Sequence, residues 1–205
     1  MREALTTMLG MQSRMNTRVH EDWSAQGFAW HRAIWVECAE LVDHYGYKWW
    51  KHQDHDLAQV QLEVVDIWHF GLSACFRSGV AIPALAAELE ALWPKDPERF
   101  GVLEAAERLA AVAAGEQRFS VPAFVSLLVA ADMDFDLLYR QYLGKNVLNF
   151  FRQDHGYQEG SYRKLWDGRE DNEHLMELLM HIDTSGDDAE GALYAALKDR
   201  YAATA

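Results

Sequence analysis

Two consecutive stretches of the chain carry apolar stripes at helical spacing, and each stripe has a pair of acids along the same edge. The first stripe is Trp30, Ile34, Cys38, Leu41 and Tyr45, flanked by Glu37-x-x-Glu40. The second is Val60, Val64, Ile67 and Gly71, flanked by Glu63-x-x-Asp66. Apolar residues three and four apart share one helical face and must be buried against another element. At 100° per residue, Glu37 and Glu40 sit about 60° and about 120° round from Ile34, and Glu63 and Asp66 take the same offsets from Val60. Packing stripe against stripe in an antiparallel hairpin therefore puts all four carboxylates on one side. Glu40 with Glu63, and Glu37 with Asp66, also lie at matching depths from the connecting turn, to within about one turn of helix. Carboxylates that close at the edge of a core repel unless a cation lies among them. Four hard oxygen donors suit Mg²⁺, or Mn²⁺. The alternative is a solvated acidic face in chance register, in a chain with 32 acids.

The rest of the pattern is helical as well. Helices are predicted over 2–19, 27–46, 56–78, 84–92, 97–114, 120–153, 170–182 and 187–202, with 120–153 broken near Met133–Asp136 or at Gly144. Breaks are marked by Gly27, Gly46, Gly79, Pro94 and Pro97, Gly115, Gly156, Gly160, Gly168 and a Thr184-Ser185-Gly186-Asp187 turn. No segment alternates with period two, so the expected fold is an all-α helical bundle forming one domain over 1–205. Residues 80–118 are rich in Ala and Glu and poor in Trp and His. They read either as an inserted helical hairpin that moves as a lid or as plain scaffold.

A net charge of −13 argues against stable nucleic-acid or anionic-membrane binding, which needs a basic surface. Two cysteines, Cys38 and Cys75, make no disulfide framework and suggest a reduced, cytoplasmic setting. The chain opens on Met1-Arg2-Glu3 and an amphipathic stretch, with no signal-peptide pattern. No stretch reaches the ~18 apolar residues of a membrane span.

One region reverses the sign. Between Arg140 and Lys164 five cations (Arg140, Lys145, Arg152, Arg163, Lys164) face two acids, Asp154 and Glu159. Lys145, Asn149 and Arg152 share a helical face, and the helix runs into Gly156-Tyr157-Gln158-Glu159-Gly160-Ser161-Tyr162. Cations beside a glycine loop suit a polyphosphate. With four acids opposite, this implies a Mg-nucleotide held between two walls; an ordinary basic surface patch is the alternative. Gln12 and Asn16 lie four apart on one helix, and paired amides can read the edge of a base. Trp49 and Trp50 fall in the turn of the acidic hairpin, where they stack a base or cap the core. His69 and Phe70 follow the second acid pair, and Phe70 sits on its acidic side, about 80° from Val60, where it floors a pocket or packs the core.

Taken together, Gln12…Asn16…Trp23, Arg32-Ala33-Ile34-Trp35-x-Glu37-x-x-Glu40, Lys48-Trp49-Trp50-Lys51, Glu63-x-x-Asp66-x-x-His69-Phe70 and the block from Gly144 through Lys145, Asn149, Arg152, Gly156-Tyr157 and Gly160-x-Tyr162-x-Lys164 resemble the dimeric dUTPases of the all-α nucleoside triphosphate pyrophosphatase superfamily. The resemblance spans residues 8 to about 175, loosely over 80–130. It implies a homodimer that cleaves dUTP, and dUDP, to dUMP, limiting uracil in DNA and supplying dUMP. Glu37, Glu40, Glu63 and Asp66 would bind two or three Mg²⁺. Water activated there, with Glu40 as general base, would attack the β-phosphorus. Gln12, Asn16 and Trp50 would hold the uracil, and His69, Phe70 and Asn149 would surround the deoxyribose, Phe70 excluding a 2′-hydroxyl. Lys145, Arg152, Tyr157, Tyr162 and Lys164 would grip phosphates, from a loop that closes or reaches from the second subunit. Gln158 stands where the family pattern leads one to expect a Lys, and Arg163 is the candidate replacement.

Other readings remain open at this level. A pyrophosphatase for dCTP or a modified pyrimidine deoxynucleotide has the same signature. A di-iron helical-bundle oxidase wants Glu-x-x-His on two helices, whereas only Asp66-x-x-His69 approximates one. A nucleotide-sensing module that engages a regulatory protein is the third, and the intact set of four acids argues against it.

Overall fold

The computed structural model describes residues 1–182 and 188–204. The Thr184–Asp187 turn and the first residue of the last predicted helix lie outside the described residues. The fold is all-α. It comprises α1 (Arg2–Val19), a 3₁₀ turn at Trp23–Ala25, α2 (Trp30–Tyr45), α3 (Leu57–Cys75), α4 (Ile82–Leu92), α5 (Val102–Glu116), α6 (Val121–Ala130), α7 (Phe135–Asp154), α8 (Asp171–Leu179) and α9 (Ala189–Ala203). The one sheet among the described residues is an antiparallel pair, β1 (Leu165–Trp166) and β2 (Arg169–Glu170), which carries too few residues to show alternation in sequence.

Helix α3 is the axis of the bundle. It is buried nearly all round, through Val60, Leu62, Val64, Val65, Ile67, Trp68 and Leu72, and it packs on α1, α2, α6 and α7. Asp56 caps its start, accepting from the Gln59 amide at 3.1 Å, an arrangement worth about 1 kcal/mol. Helix α2 lies along α3 with Ile34, Cys38 and Leu41 inward. Helix α1 buries Leu5, Met8, Leu9, Met15 and, on the same face, Gln12 and Asn16. Its core stripe therefore ends in two amides that must find partners inside the protein.

Helices α6 and α7 are separate, as expected, with the break at 131–134. Asp132 takes a left-handed φ of 56°, and Asp134 caps α7 by accepting from the Leu137 amide at 2.8 Å. Gly144 does not break α7. It lets α8 approach closely, since a Cβ there would stand 2.6 Å from Leu179 Cδ1. Helices α4 and α5 contribute Leu85, Leu89, Ala106 and Leu109 to the common core, with α4 against α1 and α5 against α2. Residues 80–118 thus share the apolar interior of the bundle.

Candidate active site

A cleft of about 350 Å³ opens between α1, α3 and α7 and the segment that leads into α2. Its acidic wall comes from the α2–α3 pair. Glu37, Glu63 and Asp66 each offer a carboxylate oxygen, all within 4.8 Å of one another. Burial, then the charges of Asp66 and Glu63, raise the Glu37 carboxyl to about 9. Burial and Asp66 also push Glu63 up. With no metal among them, Glu37 keeps a proton and shares it with Glu63. A divalent cation suits this donor set because it would replace that proton and relieve the repulsion. Glu40 is exposed and stands outside the group of three, although its charge raises both Glu37 and Glu63. His44 Nε2, half-exposed, lies 3.5 Å from Glu63 Oε1.

The basic wall is α7. Lys145, only 4% exposed, reaches Asp66 Oδ2 at 2.8 Å and Asn172 Oδ1 at 3.2 Å. Arg152 donates through Nε and Nη2 to Asp171, both at 2.8 Å, and through Nη1 to Asn149 Oδ1 at 3.3 Å. Burial lowers the affinity of Arg152 for its proton, but the Asp171 hydrogen bond and charge outweigh this and keep it firmly cationic. Tyr157 lines the outer part of the cleft.

The floor is a buried polar network. Gln12 Nε2 donates to Asn16 Oδ1 (2.9 Å) and Ser73 Oγ (3.0 Å). His69 Nδ1 lies 2.7 Å, and Tyr142 Oη 2.9 Å, from Gln12 Oε1. Tyr142 has one O–H, which it shares between Gln12 Oε1 and the Met8 carbonyl, also at 2.9 Å. Both N–H groups of Gln12 are thus spent inside the protein, and its oxygen is held by His69 and in part by Tyr142. Asn16 Nδ2 donates to Ser73 Oγ at 3.0 Å, which leaves one N–H and acceptor capacity on Asn16 for the cleft. Because an amide oxygen only accepts, the His69 proton sits on Nδ1, and Nε2 is a buried lone pair without a protein partner. Burial lowers the His69 pKa to about 4, so the ring is neutral. Phe70 stacks on Trp30, ring centres 6.3 Å apart, and Phe28 and Trp23 extend this aromatic side.

The structure gathers Gln12, Asn16, Glu37, Asp66, His69, Phe70, Lys145, Asn149, Arg152 and Tyr157 around one cleft, with Glu63 at its acidic edge. The other sequence candidates lie off it. Trp50 is 60% exposed in the α2–α3 turn, edge-to-face with Trp49 and Tyr47. Tyr162 Oη donates to Asp171 Oδ2 at 2.7 Å, and Lys164 pairs with Glu170 at 3.3 Å near the surface. Arg163 is bound to the carbonyls of Tyr201 and Thr204. Sequence reasoning passed over Asp171, Asn172, Ser73 and Tyr142, whose partners lie far away along the chain. Trp30 had a signal, as the first residue of the first stripe at the acidic end, but it reads equally well as core.

A family model described as dUTPase matches residues 4–157, three quarters of the chain and every element that lines the cleft. The chain belongs to the dimeric, all-α dUTPase family. The enzyme is accordingly a dUTP diphosphatase, acting on deoxyuridine nucleotides. Enzymes of this family depend on divalent metal, and Glu37, Glu63 and Asp66 are the candidate donors here. Comparison with curated proteins found no match. None of the described helices is long and apolar enough to cross a membrane.

Proposed function

We propose that this enzyme hydrolyses dUTP and dUDP to dUMP with Mg²⁺ held by Glu37, Glu63 and Asp66, in a homodimer working in the cytoplasm. The observation that carries the reading is the three-carboxylate group, half-buried at Glu37 and Asp66 and buried at Glu63, with Glu37 raised to about 9 opposite a wall of two cations, Lys145 buried and Arg152 largely so. When bound, the metal lowers the pKa of water and offsets charge on the phosphates. Glu40, on the solvent side of the acids, takes the proton from the attacking water, which is aimed at the β-phosphorus. Lys145 and Arg152 orient the polyphosphate from the other wall, with Tyr157 at the mouth.

Asn16 reads the base. Gln12 and Ser73 pin its amide, and the remaining carbonyl lone pair and N–H complement the N3–H and O4 of uracil. Gln12 acts through Asn16. The unpartnered His69 Nε2 accepts a deoxyribose hydroxyl, Asn149 lies alongside, and Phe70 on Trp30 closes the space a 2′-hydroxyl would need. Trp50, Tyr162 and Lys164 belong to segments that would have to shift, or come from the partner copy, to touch the substrate.

The test is a nucleotide panel. The native chain with Mg²⁺ is expected to turn over dUTP and dUDP well ahead of dCTP and UTP, and to stop with a chelator. Glu63→Gln is expected to lose turnover while keeping fold and dimer. Glu40→Gln should lose it with metal affinity retained. Undiminished turnover by Glu63→Gln would refute the metal reading, and by Glu40→Gln the base assignment alone.

A further inference from the structure

Behind the basic wall lie two residues outside the segment matched by the family, Asp171 and Asn172, which open α8. Asp171 is fully buried and takes two hydrogen bonds from Arg152 and one from Tyr162. Its own backbone amide is tied to the Lys164 carbonyl at 3.0 Å. Asn172, 9% exposed, places Oδ1 3.2 Å from Lys145 Nζ and 3.4 Å from Arg152 Nη2. One neutral oxygen is therefore shared by the two cations that face the cleft.

A guanidinium has five N–H groups. Nε and one N–H of Nη2 go to Asp171, the second N–H of Nη2 goes to Asn172, and one N–H of Nη1 goes to Asn149. A single N–H on Nη1 is unassigned. Lys145 has three, of which one meets Asp66 and one meets Asn172. Each cation keeps one donor, and both line the cleft.

We infer that Asp171 and Asn172 are positioning residues for the polyphosphate, fixing the separation of Lys145 and Arg152 and turning one free donor of each into the cleft. The inference rests on the proposed role of these cations. A guanidinium already clamped by a carboxylate loses little freedom when it meets phosphate, so ordering it costs less at binding. An ion pair that merely fastened α8 to α7 would have no use for Asn172, because the Arg152–Asp171 bridge is complete without it. Asn172 is also the cleaner handle, since removing it leaves no buried charge unpaired.

The experiment uses the full chain and three readouts: affinity for α,β-imido-dUTP, competitive inhibition by deoxyuridine, and melting temperature. Asn172→Ala is expected to lose about tenfold or more in affinity for the triphosphate analogue, the size of one hydrogen bond to a charged group. KM for dUTP should rise to match, while deoxyuridine inhibition and melting temperature stay as in the native chain. Asn172→Leu, which keeps the branched shape without the oxygen, should behave alike and keeps the test standing if the alanine variant folds poorly. Variants that bind the analogue as tightly as the native chain, or that lose analogue and nucleoside affinity equally, would overturn the positioning role alone. A native chain that neither binds nor cleaves dUTP would overturn the functional reading and this one with it.

Discussion

On the α2–α3 side of the cleft, three carboxylates crowd within 4.8 Å of one another, with Lys145 and a half-exposed His44 in ion-pair range and the charge of Arg152 acting on Asp66 from further off. On the α7–α8 side, the buried cations have acceptors of their own: Asp171 and Asn149 for Arg152, Asp66 and Asn172 for Lys145. The two walls are opposite in electrostatic state. The acidic wall holds more charge than its neighbours can offset, so it retains a proton on Glu37 and has strong reason to exchange it for a metal. The basic wall is satisfied before any ligand arrives, so its geometry is set in advance. Affinity for metal thus comes from local instability, and orientation of phosphate from local rigidity. Substitutions on the two walls should for that reason move stability in opposite directions.

The largest expected effect is on the acidic wall. Glu37→Gln or Glu63→Gln should cut Mg²⁺-supported dUTP turnover by about 10³-fold, roughly 4 kcal/mol of transition-state stabilisation. In chelator at neutral pH the same variants should melt above the native chain, because the group then has one acid fewer to hold protonated against its neighbours. A variant that is less stable than native in chelator would break the contrast between the walls. The counterpart on the basic wall is Asp171→Asn. Leaving Arg152 buried without its carboxylate should cost about 3 kcal/mol in denaturant unfolding, with or without Mg²⁺. A loss seen only when Mg²⁺ is present would mean that the two walls are one coupled unit.

The pH dependence sharpens the comparison further. An unfolded glutamate releases its proton near 4.5, whereas folded, metal-free Glu37 holds it to about 9. Between those values the folded state binds more protons than the unfolded one, so metal-free stability should fall as pH rises. The slope is at most about 1.4 kcal/mol per pH unit for one proton, and less because Glu37 is only half-buried. Saturating Mg²⁺ should flatten it. On the acid side His69 works the other way. Its folded pKa of about 4 lies below the ordinary 6.5, so the unfolded state binds the extra proton. With Mg²⁺ bound, stability should drop as pH falls from about 6.5 towards 4. In chelator this limb offsets that of Glu37, and the net fall with rising pH is confined to pH above about 6.5. Thermal melts across pH 4–9, with Mg²⁺ and with chelator, read both limbs. A metal-free melting temperature that is flat from pH 5 to 9 would contradict the shared-proton account of the acidic wall.

The two walls also differ in how far one can read them along the chain. Helical phase and distance from a turn are local rules, and they suffice to bring Glu37 to Glu63 and Asp66 once α2 lies along α3. The same rules place Lys145, Asn149 and Arg152 on one face of α7. They fail where the outcome depends on which side chain fills a distant gap. Glu40 has the right phase, but it sits one turn nearer the solvent end and stays exposed. Asp171 reads as an ordinary acid in a first helical turn until α8 docks on α7 and buries it. Gln12 reads as a base-binding amide until His69, Tyr142, Ser73 and Asn16 become its hydrogen-bond partners. Residues 80–118, compositionally plain, supply core leucines that no motif announces.

The smallest expected effect concerns the far end of the basic wall, and it tests whether the contrast holds in the working enzyme. Lys164, exposed, pairs with half-exposed Glu170 at 3.3 Å, while Lys145 is buried against Asp66. An exposed pair contributes little, so Lys164→Ala should change unfolding free energy by less than about 0.5 kcal/mol. If the basic wall is as preformed as Lys145 and Arg152 suggest, the same variant should also leave KM for dUTP within about twofold, the equivalent of that energy. A tenfold rise in KM with stability unchanged would say otherwise. It would mean that the 156–170 segment swings its cation onto the phosphates, and that rigidity is confined to the two residues held by Asp171 and Asn172.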